Sequence, residues 1–231
     1  MEKEPPMNDE QFRLEIYGTN NPVFVDSKMP GSSLPWAKTP VPKIKQAITT
    51  LVNDDSFSES LLNPSLSIEM GQVYFGYHLS KSPSFPLQMD FLLSKAPLAK
   101  SWMITDFVPQ YLKKGSAKAF KPYFLKLVNS KDDFSRRLAY VIALHFYRDK
   151  DIGYVYSSFK KDDRYYVMMS EAWLLASLAI YDFSRVKSLL LSNKLTNECK
   201  KKTISKMIDS FRIDEKMKNE AREIRQSIES F

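Results

Sequence analysis

Trp102 and Asp106 stand four residues apart in the stretch SWMITDFVPQYLKKG, residues 101–115. On a helix that spacing puts an indole and a carboxylate on one face. The pair has two readings. It is a capped surface pair, or it is half of a site that holds a cation between a negative oxygen and a π-face. The same stretch predicts a helix that buries Ile104, Phe107 and Val108.

Other chemistries find less support. The two histidines, His78 and His145, lie far apart in sequence, and Cys199 is the single cysteine. One thiol excludes an internal disulfide and any multi-cysteine zinc site. A histidine metal site or a Ser-His-Asp triad is poorly supported, and each histidine reads first as a satisfied structural residue. Glycine is scarce, with 6 in all, and neither phosphate-loop signature is present. The formal net charge is +7, which favours a polyanionic partner. Three clusters carry the positive charge. The first is Lys113, Lys114, Lys118, Lys121 and Lys126; the second is Arg136 and Arg137; the third is Lys200, Lys201, Lys202 and Lys206. Each reads as a solvated helical surface or as part of a track for a phosphate backbone.

The elements that must position these residues are helical. Residues 8–18 read as a short helix, and residues 19–39, rich in Pro, Ser, Asn and Gly, as a long loop. From Pro42 onward about a dozen amphipathic segments follow, separated by short polar breaks, with no Asn-Gly or Asp-Gly hairpin signal. The stretches YVYSSF and DRYYVMM have strand propensity, but their flanks favour helices. The expectation is one all-α domain over residues 1–231, with a divergent N-terminal part at 1–40 and helical repeats at 41–231. Serial helix pairs with short loops suggest a solenoid, with degenerate repeats and a basic concave face. The acidic, polar N-terminus MEKEPPMNDE predicts no secretion signal, and no apolar run is long enough to span a membrane. A reducing cytoplasm fits.

Four short stretches, taken in order, resemble one family. KSWMITDFV, FSRRLAYVIALHFY, YYVMMSEAWLLAS and TISKMIDSFRIDEKMK are similar to successive signatures of the DNA alkylation repair family, the helical-repeat alkylpurine DNA glycosylases. The match is strongest over residues 95–218 and weak before residue 66. The resemblance implies a right-handed, C-shaped solenoid of HEAT-like helix pairs that grips double-stranded DNA, and it implies the bacterial cytoplasm and nucleoid. It assigns Asp106, Trp102 and Trp173 to the lesion cleft and Arg137, or Arg136 if the register slips by one, to the backbone. Lys113, Lys114, Lys118, Lys202 and Lys206 are the accompanying candidates for phosphate contact. No metal and no organic cofactor is implied, and a monomer is the default. The sequence departs from the family where Met168 replaces a frequent lysine, and where AKTPVPKIK keeps Pro42 and Lys45 but little else of an N-terminal signature.

Alternatives stay open residue by residue. Trp173 sits in the apolar EAWLLASLAIY, which by pattern favours core packing. Asp106 pairs with a neighbouring cation as readily as it serves a site, and Arg137 makes an ordinary ion pair. Three functions follow. The first is hydrolysis of the N-glycosidic bond of cationic N3- or N7-alkylpurines in alkylated duplex DNA. The second is non-catalytic binding of distorted or branched nucleic acid. The third is a protein-binding scaffold, against which the clustered cations stand.

Overall fold

The computed structural model describes residues 8–20, 22–23 and 34–229. Of the long loop expected over 19–39, residues 21 and 24–33 lie outside them. The described residues fold as helices, with no strand among them and one isolated antiparallel bridge between Val23 and Trp36. The helices are α1 (Asp9–Tyr17), α2 (Val41–Asn53), α3 (Ile68–Lys81), α4 (Phe85–Lys95), α5 (Trp102–Thr105), α6 (Ala117–Val128), α7 (Asp133–Ala143), α8 (Tyr165–Leu178), α9 (Phe183–Leu191), α10 (Asn197–Ile208) and α11 (Glu215–Glu229). YVYSSF lies largely in a 3-10 segment, Lys150–Ser157, and DRYYVMM leads into α8, so both follow their flanks rather than their β-propensity.

The chain forms two compact units, Met1–Lys114 and Gly115–Phe231. In the first, α3 is the central element and packs against α2, α4 and α5. All but three of its residues are buried, the exceptions being His78, Ser80 and Lys81 at its C-terminal end. In the second, α8 is central and packs between α7 and α10. Local signals set the boundaries. Ser67, Asp132 and Thr196 cap α3, α7 and α10 by accepting a backbone N–H from the first turn. Pro42 sits in the first turn of α2, where its missing N–H leaves no intrahelical bond unmade.

The helix expected through Val108 is much shorter than its pattern. α5 has 4 residues, capped by Ser101, and the chain then tightens into a 3-10 turn, Val108–Tyr111, with Pro109 in its first positions. Ile104, Phe107 and Val108 are buried as their spacing requires. Gly71 of α3 allows this. A Cβ added there would collide with the Ile104 side chain, so glycine permits the close approach of α5 to the central helix.

Candidate functional site

Two surfaces carry the candidate residues, one in each unit. In the first unit, the Asp106 backbone N–H donates to the Trp102 carbonyl at 2.9 Å. That is the α-helical i to i+4 bond, so Trp102 and Asp106 share a face although α5 is one turn long. Both are half-buried. The single hydrogen of the Thr105 hydroxyl is shared between the Trp102 carbonyl at 3.1 Å and an Asp106 carboxylate oxygen at 3.2 Å. Lys113 and Lys114 are exposed at the end of this unit, and the Lys113 backbone is anchored by its N–H to the Gln88 side chain at 2.7 Å.

In the second unit, the pattern expectation for Trp173 is overturned. Between Tyr166 and Leu178 every residue of α8 is buried except Met169 and Trp173. The indole is 40% exposed. It lines an open cleft of about 300 Å³ with Ala176, Ser177 and Ile180 on one side and Lys206, Asp209 and Arg212 on the other. Lys206 and Lys202 are half-buried on α10, and Lys202 pairs with Glu198 at 3.5 Å. Lys118 is exposed at the start of α6.

The two arginines expected at a phosphate lie in the interior of the second unit, each 5% exposed. Arg136 ion-pairs with Asp162 at 2.9 Å. Arg164 holds the same carboxylate at 2.6 Å and reaches Asp133 at 3.0 Å. Burial raises the Asp162 pKa, but the hydrogen bonds and charge of Arg164, with the charge of Arg136, more than offset it and hold it below the usual carboxylate range. Arg137 donates to the Tyr166 carbonyl at 2.8 Å. Both guanidiniums thus brace α7 against α8 and the segment that leads into it.

A second polar group lies behind them. Glu171, 1% exposed, accepts from the Tyr140 hydroxyl at 2.8 Å. Burial pushes its pKa up to about 8. The Cys199 thiol lies 3.9 Å from Glu171 and is itself buried. Met168, which replaces the lysine frequent in the family pattern, is 5% exposed, so an apolar side chain suits its place. Arg212 is a surface residue to which the sequence assigns no role at the site. It lay within the quoted TISKMIDSFRIDEKMK run, but no spacing tied it to Trp173.

Among the described residues no group of His, Cys, Asp and Glu could hold a metal ion, and no helix is long and apolar enough to cross a membrane. A family model described as DNA alkylation repair enzyme matches residues 40–207. No curated protein and no solved structure matches the chain.

Proposed function

The chain belongs to the DNA alkylation repair enzyme family, and we propose that it is a DNA glycosylase acting on cationic N3- or N7-alkylpurines in duplex DNA. The observation that carries this reading is the exposure of Trp173. A helix buried along nearly its whole length holds one indole out to solvent, beside two cations, Lys206 and Arg212, and one carboxylate, Asp209. An exposed large aromatic on a cationic surface suits a ligand that combines a π-face with phosphate.

The chemistry needs little beyond charge stabilisation. Alkylation places a positive charge on the purine, so the base leaves with the electrons of the C1′–N bond as a neutral molecule. The sugar passes through an oxocarbenium-like state, and water adds to C1′ with loss of its proton. The Asp106 carboxylate stabilises that cation or orients the water. Trp102, on the unit that carries Asp106, and Trp173, on the second unit, are each a π-face for a cationic base or sugar, at about 0.5–2 kcal/mol per contact. Exposed Lys113, Lys114 and Lys118, with Lys202 and Lys206, hold phosphates. Arg137 and Arg136 act on this surface from beneath, by fixing α7 against α8, rather than by reaching DNA.

The test is release of 7-methylguanine or 3-methyladenine from a defined duplex. Wild-type release with loss in Asp106→Asn, at unchanged duplex affinity, supports the reading; full activity in that variant refutes it. One observation favours the non-catalytic alternative, a module for distorted or branched nucleic acid: both arginines expected at the backbone are buried. A wild-type protein that binds such DNA and releases no alkylated base from any tested lesion would establish that alternative.

A further inference from the structure

On the second unit, next to the Trp173 cleft, two arginines and two tyrosines form a cluster of which only Arg212 enters the reading above. Arg148 follows the end of α7, Tyr181 follows α8, and Arg212 lies between α10 and α11, so three connections converge on Tyr147. The Arg148 Nε donates to the Tyr147 hydroxyl oxygen at 3.1 Å, and the Arg212 Nη1 donates to the same oxygen at 2.9 Å. Arg148 also lies 5.4 Å from the Tyr147 ring centre and 5.7 Å from that of Tyr181, and Arg212 lies 5.8 Å from that of Tyr147. The tyrosine rings meet edge to face at 5.4 Å.

Two cations are therefore drawn to a single neutral oxygen. Among the described residues neither arginine makes an ion pair with a carboxylate, and both are exposed. A neutral phenol satisfies only one donor on each guanidinium fork and cancels no charge. The remaining N–H groups of both forks are oriented by stacking and left to solvent. That is a preorganised anion site, and its fork geometry suits two oxygens on one phosphorus. We propose that Arg148, Arg212 and Tyr147 form a phosphodiester clamp that takes one backbone phosphate of the DNA whose lesion is handled at Trp173. Arg212 belongs both to the clamp and to the lining of the Trp173 cleft, which places the phosphate next to the indole. Tyr181, 53% exposed, offers a flat apolar face beside it for the adjoining sugar.

An acidic polypeptide is the competing ligand. The surroundings favour nucleic acid: Tyr181 and Trp173 supply open aromatic faces, Lys206 adds a third cation, and the chain as a whole is basic. The clamp rests on the reading of the chain as a DNA-binding protein, but not on catalysis.

The experiment is binding of a labelled, undamaged duplex, followed by anisotropy over a series of salt concentrations. The proteins are wild type, Arg148→Gln/Arg212→Gln, and a charge-matched control, Lys194→Gln/Lys216→Gln, which removes two exposed lysines elsewhere on the unit. Loss of one specific phosphate contact lowers the salt slope by about 1 and weakens binding roughly tenfold at moderate salt. The control should show less than half of either effect, and thermal unfolding of all three should coincide. An arginine variant indistinguishable from wild type, or from the control, overturns the clamp. So does a loss confined to binding of poly-glutamate. Excision separates this proposal from the preceding one: duplex binding that depends on the clamp, with no base release, retains the clamp and removes the glycosylase. Base release with a clamp-independent salt slope does the reverse.

Discussion

The central helices of the two units, α3 and α8, solve the same packing problem and present tryptophan differently. Each is buried along most of its length, and each carries an interior glutamate, Glu69 at 0% exposure and Glu171 at 1%. In the first unit Glu69 accepts backbone N–H groups from Ala37 and Thr39, at 2.9 Å and 3.2 Å, and so ties the chain ahead of α2 to the core. In the second Glu171 accepts from a side chain, Tyr140. The candidate indole of the first unit, Trp102, lies off the central helix, on the one-turn α5, and depends on Gly71 for its position. The indole of the second projects from the central helix itself. A one-turn helix has few bonds of its own, so Trp102 and Asp106 are held by packing; Trp173 is held by fourteen residues of helix with both flanks covered. Position at the first surface is therefore more vulnerable to core changes than position at the second.

Four predictions would break or sharpen that contrast. The largest effect is expected from Asp106→Asn, a loss of about a thousandfold in base excision, or roughly 4 kcal/mol of transition-state stabilisation, with duplex affinity intact. A single-turnover assay measures it. Next, neighbouring residues of α8 should separate cleanly. Leu174→Ala, at a fully buried position, should cost about 3 kcal/mol of stability. Trp173→Ala should cost less than about 1 kcal/mol in chemical denaturation while lowering excision about tenfold. Equal destabilisation by both would mean that the exposed indole is a packing residue.

The first surface answers a smaller change. Gly71→Ala sets a methyl group against Ile104 and should cost about 2 kcal/mol, with a fall in excision larger than the fall in duplex affinity. An unchanged excision rate would show that α5 tolerates displacement. The fourth prediction contrasts the interiors. Burial pushes the Glu171 carboxyl up to about 8 in the folded chain, against a usual 4.5. The native state then holds a proton that the unfolded state releases, and stability falls as pH rises between those values. The slope should be on the order of 1 kcal/mol per pH unit, and Glu171→Gln should flatten it. Burial raises the Glu69 pKa as well and lowers those of His78 and His145, so the residual slope in Glu171→Gln is the sum of a fall from Glu69 and an opposing rise from the two histidines.

The helical class was legible because apolar spacing and polar breaks are local properties, and the caps at Ser67, Asp132 and Thr196 act within one turn. Family membership was legible in four ordered stretches, and the Trp102–Asp106 face survived the shortening of its helix because one backbone bond sufficed to keep it. Three features were not legible. By pattern Trp173 looked like core, because α8 is apolar nearly all round and a pattern without a polar face gives no direction to the exposed side; only the family resemblance set it in a cleft. Arg136 and Arg137 looked like surface residues at the start of an amphipathic helix. Their partners, Asp162 and the Tyr166 carbonyl, come from 25 or more residues further along, beyond the reach of periodicity. The convergence of Tyr147, Arg148, Tyr181 and Arg212 likewise joins three connections that no window of sequence spans.

Cys199 has a practical corollary. A DNA glycosylase of the kind proposed would meet the same electrophiles that damage the bases, and thiolates are the side chains most readily methylated. The chain has one thiol, 1% exposed, and burial holds it in the protonated form. Such a molecule should keep working in the reagent that generates its substrates, and a cysteine placed at a surface position would be its single reactive handle for a probe.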